Sequence, residues 1–178
     1  MNYSALIAKV GKYTTVKQNT HDYRKQWQEG KRQMLVDTLQ GIIDNTDLEA
    51  EIDVRDDIEN LEVVMFNLGR TKSGIREKLD GDESRSVVRN NGILVYQQLF
   101  NGKMVVMIVN PFLEGYGEPA PPKTLEILRP EELNEGFVLR HMEEFLKAIT
   151  AWEDYDDDQP SPPPIGFNTK LHLTADEA

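Results

Sequence analysis

Residues 92–110 read Gly-Ile-Leu-Val-Tyr-Gln-Gln-Leu-Phe-Asn-Gly-Lys-Met-Val-Val-Met-Ile-Val-Asn. Two apolar, β-prone runs flank Asn101-Gly102, the dipeptide that best tolerates the positive φ angles of a two-residue type I′ turn, so the stretch predicts a β-hairpin. Such a turn pairs Leu99 with Met104, Gln98 with Val105 and Tyr96 with Met107. Because side chains alternate along a strand, Ile93, Val95, Leu99, Met104, Val106 and Ile108 would then share one face. Leu94, Tyr96, Gln98, Val105, Met107 and Val109 would share the other. Strands that are apolar on both sides need cover on both sides, from helices or from another subunit. The second face is therefore a candidate partner surface.

On the N-terminal side, Glu49–Asp56 alternates as a half-exposed strand and Asn60–Leu68 is a more apolar one. The short acidic link Asp57-Ile58-Glu59 makes the two an antiparallel hairpin. Between Asp47 and Glu62 stand eight carboxylates against Arg55 alone, without the spacing of a calcium loop. Gly69–Ser86 reads as an irregular connection. Within it Gly69 and Gly74 bracket Arg70, Lys72 and Ser73, with Arg76 just beyond, a combination of free amides, hydroxyls and cations that could hold an anion. The order is not that of a P-loop, because the lysine–hydroxyl pair precedes the second glycine. Beyond the hairpin, Lys123–Leu128 suits a fifth, edge strand.

Helical patterns bracket the strands. Residues 3–45 carry apolar positions three and four apart, as one long helix or as two helices meeting near Asn19. Trp27 lies in a polar part of that pattern and is a candidate for partner contact as well as for the core. Pro130 suits a first helical turn, and Asn134 suits the cap of a further helix. There Phe137, His141, Phe145, Ile149 and Trp152 form a broad apolar stripe, in which His141 is expected to be a buried or boundary histidine with a backbone partner. An acidic run and Pro160-Ser-Pro-Pro-Pro164 lead into a tail whose Ile165, Phe167, Leu171 and Leu173 suit either disorder or docking.

The fold class expected is α+β. A long N-terminal helix or helix pair (1–45) precedes a four- to five-stranded antiparallel meander closed by an amphipathic helix (46–154), with an acidic, proline-rich tail (155–178). The 178 residues fit one hydrophobic core. There is no cysteine, which removes thiol chemistry and thiolate metal sites, and the three histidines fall on separate segments. No run is long and apolar enough for a signal peptide or a bilayer span, so a cytoplasmic protein without membrane insertion is the expectation.

The net charge of −11 is unevenly spread. Residues 1–45 hold seven basic and four acidic side chains, net +3, and the remainder carries −14. An acidic body argues against general nucleic-acid binding. No nucleophile–base–acid set, dinucleotide fingerprint or metalloprotease motif is present, so no catalytic residue, cofactor or metal is assigned. The expectation is a non-catalytic protein-binding subunit, adaptor or chaperone-like component, or a homo-oligomer. Its partner contacts are sought at Trp27, Leu94, Tyr96, Met107 and Phe167. Two alternatives stand beside it: a phosphate or nucleotide binder using the 69–78 segment, and an acidic mimic of nucleic acid.

Overall fold

The computed structural model describes residues 2–78 and 84–154. Helix α1 (Ser4–Gln26) passes through Asn19 without a break. The N-terminal helix changes direction further on, at a wide π-helical turn, Trp27–Lys31, where Gly30 leaves helical backbone, and it resumes as α2 (Arg32–Asn45). Strands β1 (Glu51–Arg55), β2 (Val63–Asn67), β5 (Ile93–Gln98), β6 (Met104–Val109) and β8 (Lys123–Leu128) form an antiparallel sheet in that order. Pro130–Glu132 makes a single 3-10 turn. Then Asn134 caps α3 (Glu135–Glu153), its side chain accepting from the Phe137 amide at 3.2 Å.

A second, three-stranded sheet joins β3 (Arg70–Lys78), β4 (Ser84–Asn90) and β7 (Phe112–Leu113). It replaces the irregular connection expected over 69–86. The strands β2–β3 and β4–β5 form one bent ribbon, continuous across Leu68–Gly92 and Asn91–Gly69 backbone hydrogen bonds. Gly69 and Gly92 take the positive φ angles of the bend. The polar sequence of β3 hid its pairing, because cross-strand hydrogen bonds need no apolar face on a strand that lies largely exposed.

The organising hairpin is present, but its register differs from the expected one by a single residue. Tyr96 opposes Val106, Leu94 opposes Ile108 and Gln98 opposes Met104. The turn explains the difference. The Gly102 amide donates to the Leu99 carbonyl at 2.8 Å, so Phe100 and Asn101 are the central residues. Gly102, at φ +77°, follows as the left-handed residue of a G1 bulge. Asn101 keeps a negative φ, so the turn is not type I′.

A slip of one residue exchanges the faces of β5 relative to β6. Leu94, Tyr96, Gln98, Met104, Val106 and Ile108 all point inward and are fully buried. All but Gln98 meet α2 and α3 in one core with Trp27, Leu35, Leu39, Phe66, Val138 and Phe145. Phe66 and Phe145 stack edge to face with centroids 6.4 Å apart. Leu94 and Tyr96 thus lie inside the chain's own core instead of sharing a surface with Val105, Met107 and Val109.

Gly102 also sets how closely α1 approaches the hairpin. A β-carbon there would stand 2.9 Å from the Thr20 carbonyl oxygen and 2.9 Å from the Tyr23 β-carbon. Gly102→Ala combines that clash with an unfavourable φ, and we expect it to lower unfolding free energy by about 1–3 kcal/mol in urea titration. The wild-type midpoint in that variant would refute the packing of α1 on the turn.

Candidate functional site

Two polar clusters lie within the fold, and an exposed helical arm extends from it. The first cluster surrounds Glu62, which precedes β2. The two-residue period that turns Val64 and Phe66 inward turns Glu62 inward too, and it is 4% exposed. Its Oε2 accepts from the Trp27 indole Nε1 at 2.8 Å and from Arg32 Nη1 at 2.9 Å. Gln28 donates to Oε1. All three donors come from the bend between α1 and α2, so one carboxylate gathers the kink onto the sheet. Trp27, named above as a possible partner contact, is fully buried by this arrangement. Nearby, Lys31 Nζ donates to the Leu133 carbonyl at 2.7 Å, tying the kink to the turn before α3.

The second cluster is a row across the sheet. Tyr96, Val106 and Glu126 stand side by side on β5, β6 and β8. His141 on α3 sits over them, with Nδ1 3.1 Å from the Tyr96 hydroxyl and Nε2 2.7 Å from Glu126 Oε1. A neutral ring carrying its proton on Nε2 satisfies both contacts, since the tyrosine then donates to Nδ1 and the histidine to the carboxylate. Arg140 Nη2 reaches the same Glu126 oxygen at 2.6 Å. The histidine is buried as expected, but its partners are side chains on the sheet instead of a backbone carbonyl. Burial lowers the His141 pKa, with Arg140 adding to the effect and Glu126 opposing it. Burial also raises the Tyr96 pKa far above the ordinary tyrosine range, helped by the Glu126 charge. Tyr96 and His141 are shut off from solvent, whereas the Glu126 side chain at the end of the row is 32% exposed.

The four anion-binding candidates lie along β3, where Arg70, Lys72 and Arg76 oppose Asn90, Val88 and Ser86 of β4. Arg70 Nε pairs with Glu114 at 3.0 Å. Ser73 Oγ donates to the Val87 carbonyl at 2.8 Å, closing the bulge around Gly74. Lys72 and Arg76 are exposed on either side of that bulge. Of the remaining partner candidates, Met107 lies half-buried on the outer face of the sheet, and Phe167 lies outside the described residues. Among the described residues no three His, Asp or Glu side chains group as metal ligands, and no helix is long and apolar enough to cross a membrane.

The third feature is the helical arm. Helix α1 buries no residue along its length. Leu6, Ile7, Val10 and Tyr13 share one face of its first turns, yet they are 56%, 68%, 54% and 60% exposed. Lys17 continues that face, its ammonium 5.0 Å from the Tyr13 ring centroid. From Asn19 onward the helix is partly buried, and Arg24 Nη2 donates to the Phe100 carbonyl at 2.8 Å. No family model, curated protein or solved structure matches this chain at a significant level.

Each cluster generates a prediction. Removing the buried carboxylate leaves the Trp27 indole without its acceptor and Arg32 with Asp56 at 3.9 Å. Glu62→Ala is therefore expected to cost about 3 kcal/mol in urea unfolding, with a change in tryptophan emission as the kink loosens. A loss below about 0.5 kcal/mol would contradict the role given to Glu62. For His141 the folded-state pKa lies below the unfolded value of about 6.5, so the unfolded chain binds more protons in the window between them. Stability is thus expected to be full above about pH 7 and to fall as the pH drops through that window. Urea titrations between about pH 7.5 and 5 would show this slope reduced in His141→Phe; an unchanged slope would contradict it.

Proposed function

We propose that this protein is a non-catalytic protein-binding component that docks through the first turns of α1. The supporting observation is the exposed stripe Leu6, Ile7, Val10 and Tyr13 on a helix that projects from the body. About fifteen helical residues without tertiary packing are only marginally stable in water, and most helices draw their stability from a buried face. An apolar stripe on such a helix has its physical use when a partner covers it. The inward placement of Tyr96, His141 and Glu62 favours a folding role for the polar clusters over catalysis.

Affinity purification at native expression level, comparing wild type with Leu6→Glu/Val10→Glu, tests the reading. Both substitutions lie on the exposed part of α1, so the fold should persist while co-purifying chains are lost, tagged or untagged copies of this protein included. Retention of the same partners by both forms would overturn docking through α1.

A further inference from the structure

The five-stranded sheet has two faces, and the helices cover one. Across the sheet, Asp53, Met65, Val95, Met107 and Thr124 form one outward row. Arg55, Val63, Gln97, Val105 and Ile127 form the next. The core that α2 and α3 share with the sheet includes none of these residues. At the β8 edge Ile127 is 58% exposed, Met65 and Met107 are partly buried, and Val95 and Val105 on the middle strands are buried beneath their neighbours. The outer face is thus an apolar band of valine, methionine and isoleucine. On the β1 side it is bordered by Glu51, Asp53 and Arg55, with Asp57 and Glu59 on the link that follows and Asp56 of that link paired with Arg32 at 3.9 Å.

The arm has matching properties. Residues 4–18 of α1 are exposed and extend about 22 Å at 1.5 Å per residue. Five strands spaced about 4.8 Å apart are roughly 19 Å across between the outermost ones. The exposed arm carries Lys9, Lys12 and Lys17 and no acidic side chain. Its apolar stripe fits the apolar band, and its charge fits the acidic β1 border. Pairing two arms with each other would instead bring like charges together.

We propose that α1 of one copy lies across the outer sheet face of a second copy, with Leu6, Ile7, Val10 and Tyr13 on Met65, Met107 and Ile127, above the recessed Val95 and Val105. Reciprocal exchange of arms gives a closed two-fold dimer in which each chain supplies both halves of the contact. The kink at Trp27–Lys31 aims the arm, and the packing of Gly102 on Thr20 and Tyr23 supports its base. Methionine on the receiving face suits a surface that must adapt to a helix. This inference rests on docking through α1 and specifies the partner as a second copy of this chain.

The absence of native cysteine makes the test direct. Full-length Val10→Cys and Met107→Cys variants, mixed and oxidised, are expected to give the mixed disulfide-linked dimer, with each variant alone giving less than a fifth as much. Light scattering should show wild type as a dimer at micromolar concentration, with Leu6→Glu/Val10→Glu and Met107→Glu each monomeric. Near-ultraviolet circular dichroism checks the fold of each variant. The second-copy claim is overturned by a wild-type monomer, by linkage chiefly between two Val10→Cys chains, or by a dimer that survives substitution in the arm or on the face. A monomer that still loses co-purifying chains on arm substitution overturns the second copy and leaves arm docking standing. A monomer whose co-purifying chains are unaffected overturns both.

Discussion

The Glu62 carboxylate is the contact on which the arrangement of the helices depends. Burying a charge costs several kcal/mol unless donors and a counter-charge replace the lost water. Here the replacements come from one short stretch: the Trp27 indole, the Gln28 amide and the Arg32 guanidinium. Because all three sit at the bend, satisfying Glu62 fixes both the position of the bend and the angle between the helices. Helix α2 then lays Leu35 and Leu39 on the sheet, while α1 is directed away from it. A polar requirement in the core thereby decides which apolar residues remain outside it.

The same logic governs how α3 meets the sheet. His141 joins α3 to both β5 and β8 through Tyr96 and Glu126, which pins the helix over one row of the sheet. The apolar contacts of Phe145 and Ile149 supply attraction without direction, whereas the hydrogen bonds fix the register of helix on sheet. With α2 and α3 committed to this face, the described residues offer no helix for the other. The helix-free outer face and the unburied arm are two consequences of one topology.

Much of the fold was legible in the sequence, and the failures have specific causes. The strands of the five-stranded sheet, the Pro130 turn, the Asn134 cap and the α3 stripe follow from alternation, helical period and cap chemistry. The hairpin's existence was equally legible, but its register was not. Asn-Gly serves both a type I′ turn and a type I turn with a following bulge, and the choice moves β5 by one residue against β6. That single ambiguity assigned Leu94 and Tyr96 to a partner surface when they belong to the core. The β3–β4 pairing was hidden by the polarity of β3. Glu62 carries a readable signal, since its parity with Val64 and Phe66 places it inward, but it stands among eight carboxylates that composition alone does not tell apart. Trp27 had no comparable signal, because its partner is thirty-five residues away.

The central claim is that α1 is an arm whose exposed stripe is covered by another molecule of the same chain. Amide hydrogen exchange of the intact protein, followed by mass spectrometry over a hundredfold range of concentration, tests it most directly. Backbone amides of residues 4–18 should exchange within seconds in dilute solution, as for an unsupported helix, and become protected as concentration rises, while the amides of α3 stay constant. Equal and rapid exchange of residues 4–18 at every concentration would contradict the claim.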